Sequence, residues 1–172
     1  MKAKHNWKSK PGNKICVLDR GAVRFEFPKQ WIFEMKDGTV TVHDRHPGIE
    51  ACDLCVSVFN VPGIAVADLP LDDLLMRSLD SDRKVYEQSE IHRRHTGDTQ
   101  ITWIEQKYVE ESQKREAKFR VALVRSTELH CLLSMNYWAN RAASLEPVWE
   151  EVLASLVFGV YVEDPTVGPV VN

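Results

Sequence analysis

The sequence predicts an α+β fold built on an antiparallel β-sheet of about six to seven strands. Three observations predict it. Short runs of alternating apolar and polar residues recur along most of the chain, which is the period of a half-buried strand. Only two stretches carry apolar residues at helical spacing, one near the middle and one close to the end. The links between successive strands are short, and short links join antiparallel neighbours because a parallel crossover needs far more chain.

The elements follow in order. Lys14–Leu18 and Ala22–Phe27 read as strands joined through Asp19-Arg20-Gly21, with Val23, Phe25 and Phe27 on one face and Arg24 and Glu26 on the other. Pro28 closes the second of these, since it cannot donate to a ladder. Trp31–Met35 and Thr39–His43 form a hairpin through Lys36-Asp37-Gly38. Cys52–Val61 is a strongly patterned strand that Pro62-Gly63 ends. Asp68 offers an N-cap, with Pro70 in the first turn, to a helix over Leu69–Leu79 that extends towards Tyr86. Thr99–Val109, Lys118–Arg125 and Leu129–Trp138 form a meander. In the first of these the apolar residues change face between Trp103 and Ile104, which predicts a bulge or burial on both sides. Ser144 caps a last helix with an apolar stripe of Leu145, Val148, Trp149, Val152, Leu153 and Leu156, and Gly159 stops it. No repeat or composition shift divides the chain. The plan is a basic, flexible arm over residues 1–13, a single domain over 14–159 and an irregular tail over 160–172.

Composition narrows the classes of function. With 172 residues, 44% hydrophobic and 27% charged, the chain is neither disordered nor fibrous. Its apolar runs are too short for a membrane span. The N-terminal segment is lysine-rich without the apolar core of a signal peptide, so the expected compartment is the cytoplasm. A formal charge of −3 gives no general attraction to nucleic acid or to anionic membranes. Cys16, Cys52, Cys55 and Cys131 sit within apolar segments and read as free thiols.

The strand ending Val23-Arg24-Phe25-Glu26-Phe27-Pro28 with Trp31 following, and the closing helix Val148-Trp149-Glu150-Glu151-Val152-Leu153-Ala154-Ser155-Leu156, carry a resemblance. In these segments and in the order of its elements the chain resembles the PsbP-like superfamily, which includes the photosystem II subunit PsbP and the Ran-binding import factor Mog. The resemblance covers roughly Ala22 to Gly159. It implies a sheet packed between helices, an α/β/α sandwich, in proteins that mostly bind partners. It transfers no catalytic residue.

Among chemical constellations, His43, His46, Cys52 and Cys55 have the residue types of a zinc site. Strand geometry argues against it, because Cys52 and Cys55 lie three apart in a strand and so face opposite ways. The same argument weakens a redox reading of Cys52-Asp53-Leu54-Cys55, which also lacks the helix N-terminus that lowers a thiol pKa. His92-Arg93-Arg94-His95, near Trp103 and Tyr108, is a thin basic and aromatic patch and reads as a solvated strand end. Glu110-Glu111 and Glu150-Glu151 lack the buried setting of catalytic carboxylates. No nucleophile elbow, P-loop or dinucleotide loop is present.

The remaining candidate is a polar sheet face for a protein partner, with Arg24, Glu26, Thr41, Phe59, Arg120, His130, Asn136 and Trp138 on it. Phe59 and Trp138 would be its exposed aromatic anchors. The function expected is therefore a non-enzymatic protein-binding or adaptor module, without cofactor and with self-association through a sheet edge left open. The alternative is a small hydrolase or metal-dependent enzyme using His43, His46, Cys52 and Cys55.

Overall fold

A computed structural model describes residues 5–60, 69–127, 129–159 and 161–162. The expected stop at Pro62-Gly63, the Asp68 cap and nearly all of the C-terminal tail lie outside the described residues. The strands are β1 (Asn13–Leu18), β2 (Val23–Pro28), β3 (Ile32–Lys36), β4 (Thr39–His43), β5 (Asp53–Asn60), β6 (Val85–Gln88), β7 (His92–Thr96), β8 (Thr99–Glu110), β9 (Arg115–Ser126), β10 (Leu129–Trp138) and β11 (Val157–Phe158). Helix α1 spans Leu71–Arg77 and helix α2 spans Ala142–Ser155.

Two compact units are present, one built from the chain up to Trp31 and from Glu146 onward, the other from Ile32 to Leu145. In the first, β1, β2 and β11 form an antiparallel sheet with β2 central. Val23, Phe25 and Phe27 alternate inward along β2, as its sequence period requires. The turn before β2 places Asp19 and Arg20 in the left-handed region, with φ of 43° and 50°.

In the second unit, β3-β4-β5-β10-β9-β8-β6 run in that order and β7 joins at the other end of β8, giving eight strands among the described residues. All pairs are antiparallel. The β3–β4 hairpin turns at Asp37 and Gly38, both at positive φ (50° and 78°), the geometry that matches strand twist in a two-residue loop. Helix α1 covers one face of the sheet, where Leu71 and Leu75 pack with Ile104, Val121 and Leu123. This is the α1 face. Val40, Val42, Leu54, Val56, Leu133 and Met135 are fully buried on the opposite face.

Several expectations are corrected. The strands exceed six or seven: eleven are present among the described residues, with β1, β2 and β11 in a separate sheet and with β6 and β7 in place of the expected helix extension and solvated strand end. Helix α1 stops at Arg77, and Val85–Gln88 pair with β8 instead of continuing it. Apolar residues at helical spacing run out after Leu79, and the polar Asp80-Ser81-Asp82 follows. No bulge interrupts β8 against β9, whose register is continuous from Thr99↔Ser126 to Glu110↔Arg115. The change of apolar face in β8 reflects burial on both sides, at Ile101 and at Thr102 and Ile104.

Helix α2 begins at Ala142, one residue after a 3-10 turn, so Ser144 lies inside its first turn and donates its hydroxyl to the Arg141 carbonyl. Gly159 does not cap it either, because Val157 and Phe158 extend into β11. Its role is close approach: a β-carbon there would lie 2.7 Å from the Gly21 carbonyl oxygen and 2.6 Å from Nη1 of Arg24.

Candidate functional site

Cross-strand register decides which candidate residues share a surface. On the α1 face the partners are Thr39↔Ser57, Thr41↔Cys55 and His43↔Asp53, then Cys55↔Ser134, Asp53↔Asn136 and Phe59↔His130. Thr41, Phe59, His130, Asn136 and Trp138 therefore lie on one surface. Arg120 does not, since it opposes Met135 and Glu105 on the other face. Arg24 and Glu26 belong to the separate β1-β2-β11 sheet. Arg24 stacks over Trp7 at 4.8 Å, and Glu26 accepts from the Lys10 backbone N–H at 2.8 Å.

The misplacement of Arg120 has a physical cause. A strand's own alternation separates its two sides but does not say which side meets a neighbour's, and in β9 α1 buries Val121 and Leu123 beside the polar positions of β10. Trp138 is also corrected. It is 7% exposed, its indole N–H donates to the Ile49 carbonyl at 2.7 Å, and the Arg115 guanidinium lies over its ring. Phe59 is 38% exposed and stacks on His130, which is buried.

The part of the α1 face over β4, β5 and β10 is polar and half open. Thr39 and Ser57 exchange a hydrogen bond at 2.9 Å, and Thr41 Oγ1 lies 3.6 Å from Cys55 Sγ. His43 Nδ1 is 2.6 Å from Asp53 Oδ1, and its Nε2 is 3.5 Å from Glu34 without hydrogen-bond geometry. At the end of this face a cavity of about 230 Å³ is lined by Ile49, Asp53, Tyr108, Glu110, Asn136 and Trp138, among others. Tyr108 donates its hydroxyl to Asn136 Oδ1 at 2.8 Å.

The zinc constellation does not assemble. His43 is tied to Asp53, His46 is exposed, Cys55 faces Thr41, and Cys52 is buried. Burial, then the Asp44 carboxylate, raises the Cys52 thiol far above its ordinary range, which disfavours the thiolate that a metal needs. Among the described residues no three histidine, cysteine or acidic side chains converge as a metal site. None of the four cysteines is in a disulfide, and burial pushes the Cys16 thiol up to about 12.

The basic run His92-Arg93-Arg94-His95 forms the exposed strand β7. Its neighbouring aromatics are not open platforms, because His92 stacks on Trp103 at 4.0 Å and Tyr108 is buried. Sequence reasoning missed Tyr108 as a partner of Asn136, and the pairing of His43 with Asp53. The second was within reach: a hairpin closing over Asp44–Cys52 puts those two residues opposite each other.

The family described as Alr1449 matches residues 14–162. An uncharacterized protein, alr1449, from Nostoc sp. (strain PCC 7120) is 34% identical over 170 residues, covering 98% of this chain and 88% of that protein. Among solved structures, cyanobacterial PsbP (CyanoP) from Synechocystis sp. PCC 6803 aligns with a TM-score of 0.63 at 13% identity, over 91% of this chain and 98% of that one. LpqN of Mycobacterium tuberculosis, involved in cell envelope biogenesis, aligns with a TM-score of 0.57 at 9% identity, over 91% and 88%. A protein of unknown function, PA94, from Pseudomonas aeruginosa gives 0.55 at 13%, over 84% and 96%. The structural likenesses establish a PsbP-like fold and nothing finer.

Proposed function

The chain belongs to the Alr1449 family, and for this member of it we propose a non-enzymatic role as a protein-binding or adaptor module. The partner is taken across the half-open polar part of the α1 face, over β4, β5 and β10. One observation carries the reading. Phe59, 38% exposed, is held against buried His130 and flanked by polar side chains that already pair with one another. An exposed aromatic anchor held against a buried ring and bordered by satisfied polar pairs has the anatomy of an interface hot spot.

The finer α/β/α layering belongs to the same proposal, supported by α1 over one face and the buried apolar residues of the other. So does a cytoplasmic setting, which free thiols fit. No helix among the described residues is long and apolar enough to cross a membrane.

A photo-crosslinking side chain at position 59 of the full chain tests the proposal, with the more exposed Tyr86 as control position. The expected result is one discrete protein adduct at 59 and none at 86. Thr41→Arg should then weaken binding of the reconstituted partner at least roughly tenfold, equivalent to about 1.4 kcal/mol. Equal crosslinking at both positions would overturn the reading.

A further inference from the structure

The cavity at the end of the polar face is built from two groups that are each half committed. Asp53 and Asn136 are directly opposite across β5 and β10. Asp53 Oδ1 is taken by His43, which is 6% exposed, and Oδ2 has no partner among the described residues. Asn136 Oδ1 is taken by the hydroxyl of Tyr108, itself buried, which leaves Nδ2 as a donor without a partner among the described residues. Each side chain is thereby fixed in orientation by a buried neighbour while its second atom stays available. The result is one acceptor and one donor side by side on adjacent strands, with Trp138, Ile49 and Ala117 among the cavity walls.

That pair is the complement of a carboxamide, whose N–H would reach Asp53 while its C=O receives the Asn136 amide. A carboxylate would meet Asp53, and Glu110 on the same wall, as like charge, and an ammonium would face those carboxylates but meet the Asn136 amide donor to donor. Size points the same way, since about 230 Å³ is below the roughly 300–1,000 Å³ of cofactor and drug-sized pockets and suits a side chain. We infer that this cavity is a carboxamide site. It deepens the binding proposal, and rests on it, by stating that the partner presents an Asn or Gln side chain at this end of the face.

The test uses the isolated full chain and small probes followed by NMR: propionamide against propionate and propylammonium, which have similar size. Propionamide should shift the Asn136 side-chain amide and the Trp138 indole signals, with affinity on the order of 10 mM for so small a probe. The peptide acetyl-Gly-Gln-Gly-amide should bind more tightly than free glutamine, and the reverse order would overturn the peptide source.

The decisive variant is Asp53→Asn. With Oδ1 still engaged by His43, its new amide presents a second donor, so preference should switch from propionamide to propionate. Loss of a merely structural contact would not invert selectivity. Tyr108→Phe should weaken propionamide about threefold to tenfold by releasing the Asn136 amide. The inference fails if propionamide produces no shifts, if either charged probe matches it in the unmodified chain, or if Asp53→Asn leaves the preference unchanged. Because no partner is present in these titrations, a failure at position 59 and a failure here are separately visible.

Discussion

Glu105 shows how single side chains hold this fold. It sits on the face opposite α1, receives hydrogen bonds from Lys118 at 2.9 Å and Arg120 at 2.7 Å, and lies 3.3 Å from the Tyr137 hydroxyl. Burial alone would raise its carboxyl pKa, but the bonds from Lys118 and Arg120 outweigh it and hold the group below the ordinary glutamate range. A depressed folded value means stability that is present above the unfolded pKa of about 4.3 and is lost as pH falls through the folded value. Glu105→Gln should cost on the order of 2–4 kcal/mol at neutral pH, and its urea midpoint should decline less steeply below about pH 5. Gly159→Ala makes a steric prediction. The added carbon meets a backbone carbonyl at 2.7 Å, which cannot swing aside, so unfolding should shift by about 1–3 kcal/mol. Thermal melts of that variant check it. Neither residue could be singled out from sequence, because a charged residue in mid-strand and a glycine after a helix have more ordinary readings.

Among the elements, α1 depends most on its surroundings. Seven residues are too few for a helix that stands alone in water, so its stability comes from packing against β8 and β9. Leu75→Ala removes its fully buried anchor and should destabilise the protein by about 2–5 kcal/mol, with the loss visible first as faster amide exchange in 71–77. The elements differed in how plainly the sequence declared them. Strand β10 was legible to both ends, since Leu129, Cys131, Leu133, Met135 and Tyr137 alternate without a break. In β9 the alternation was equally clear but misleading, because it told which residues are apolar and not which face they share with a neighbour. That knowledge lies in the register, and register is a pairwise property. The same limit hid the Tyr108–Asn136 contact at the cavity, whose residues are 28 positions apart.

At the scale of the whole chain, the scattered zinc-type ligands give a direct expectation. Added zinc should leave the melting temperature unchanged, since a ligand stabilises a fold only by binding its native form more tightly. A rise with zinc, lost in His43→Ala, would show a site that the free chain does not display. The two ends of the large sheet also differ in character. Strand β3 shows Phe33 and Met35 to solvent, whereas β7 is exposed along its whole length and carries His92, Arg93, Arg94 and His95. A second molecule meeting β7 in the symmetric antiparallel register would set Arg94 against Arg94. Strand-rich chains turn into fibrils when one copy becomes a template for the next, and a fully exposed border that sets like side chains opposite each other is a poor template. The hairpin thereby disfavours extension of the long sheet at that side.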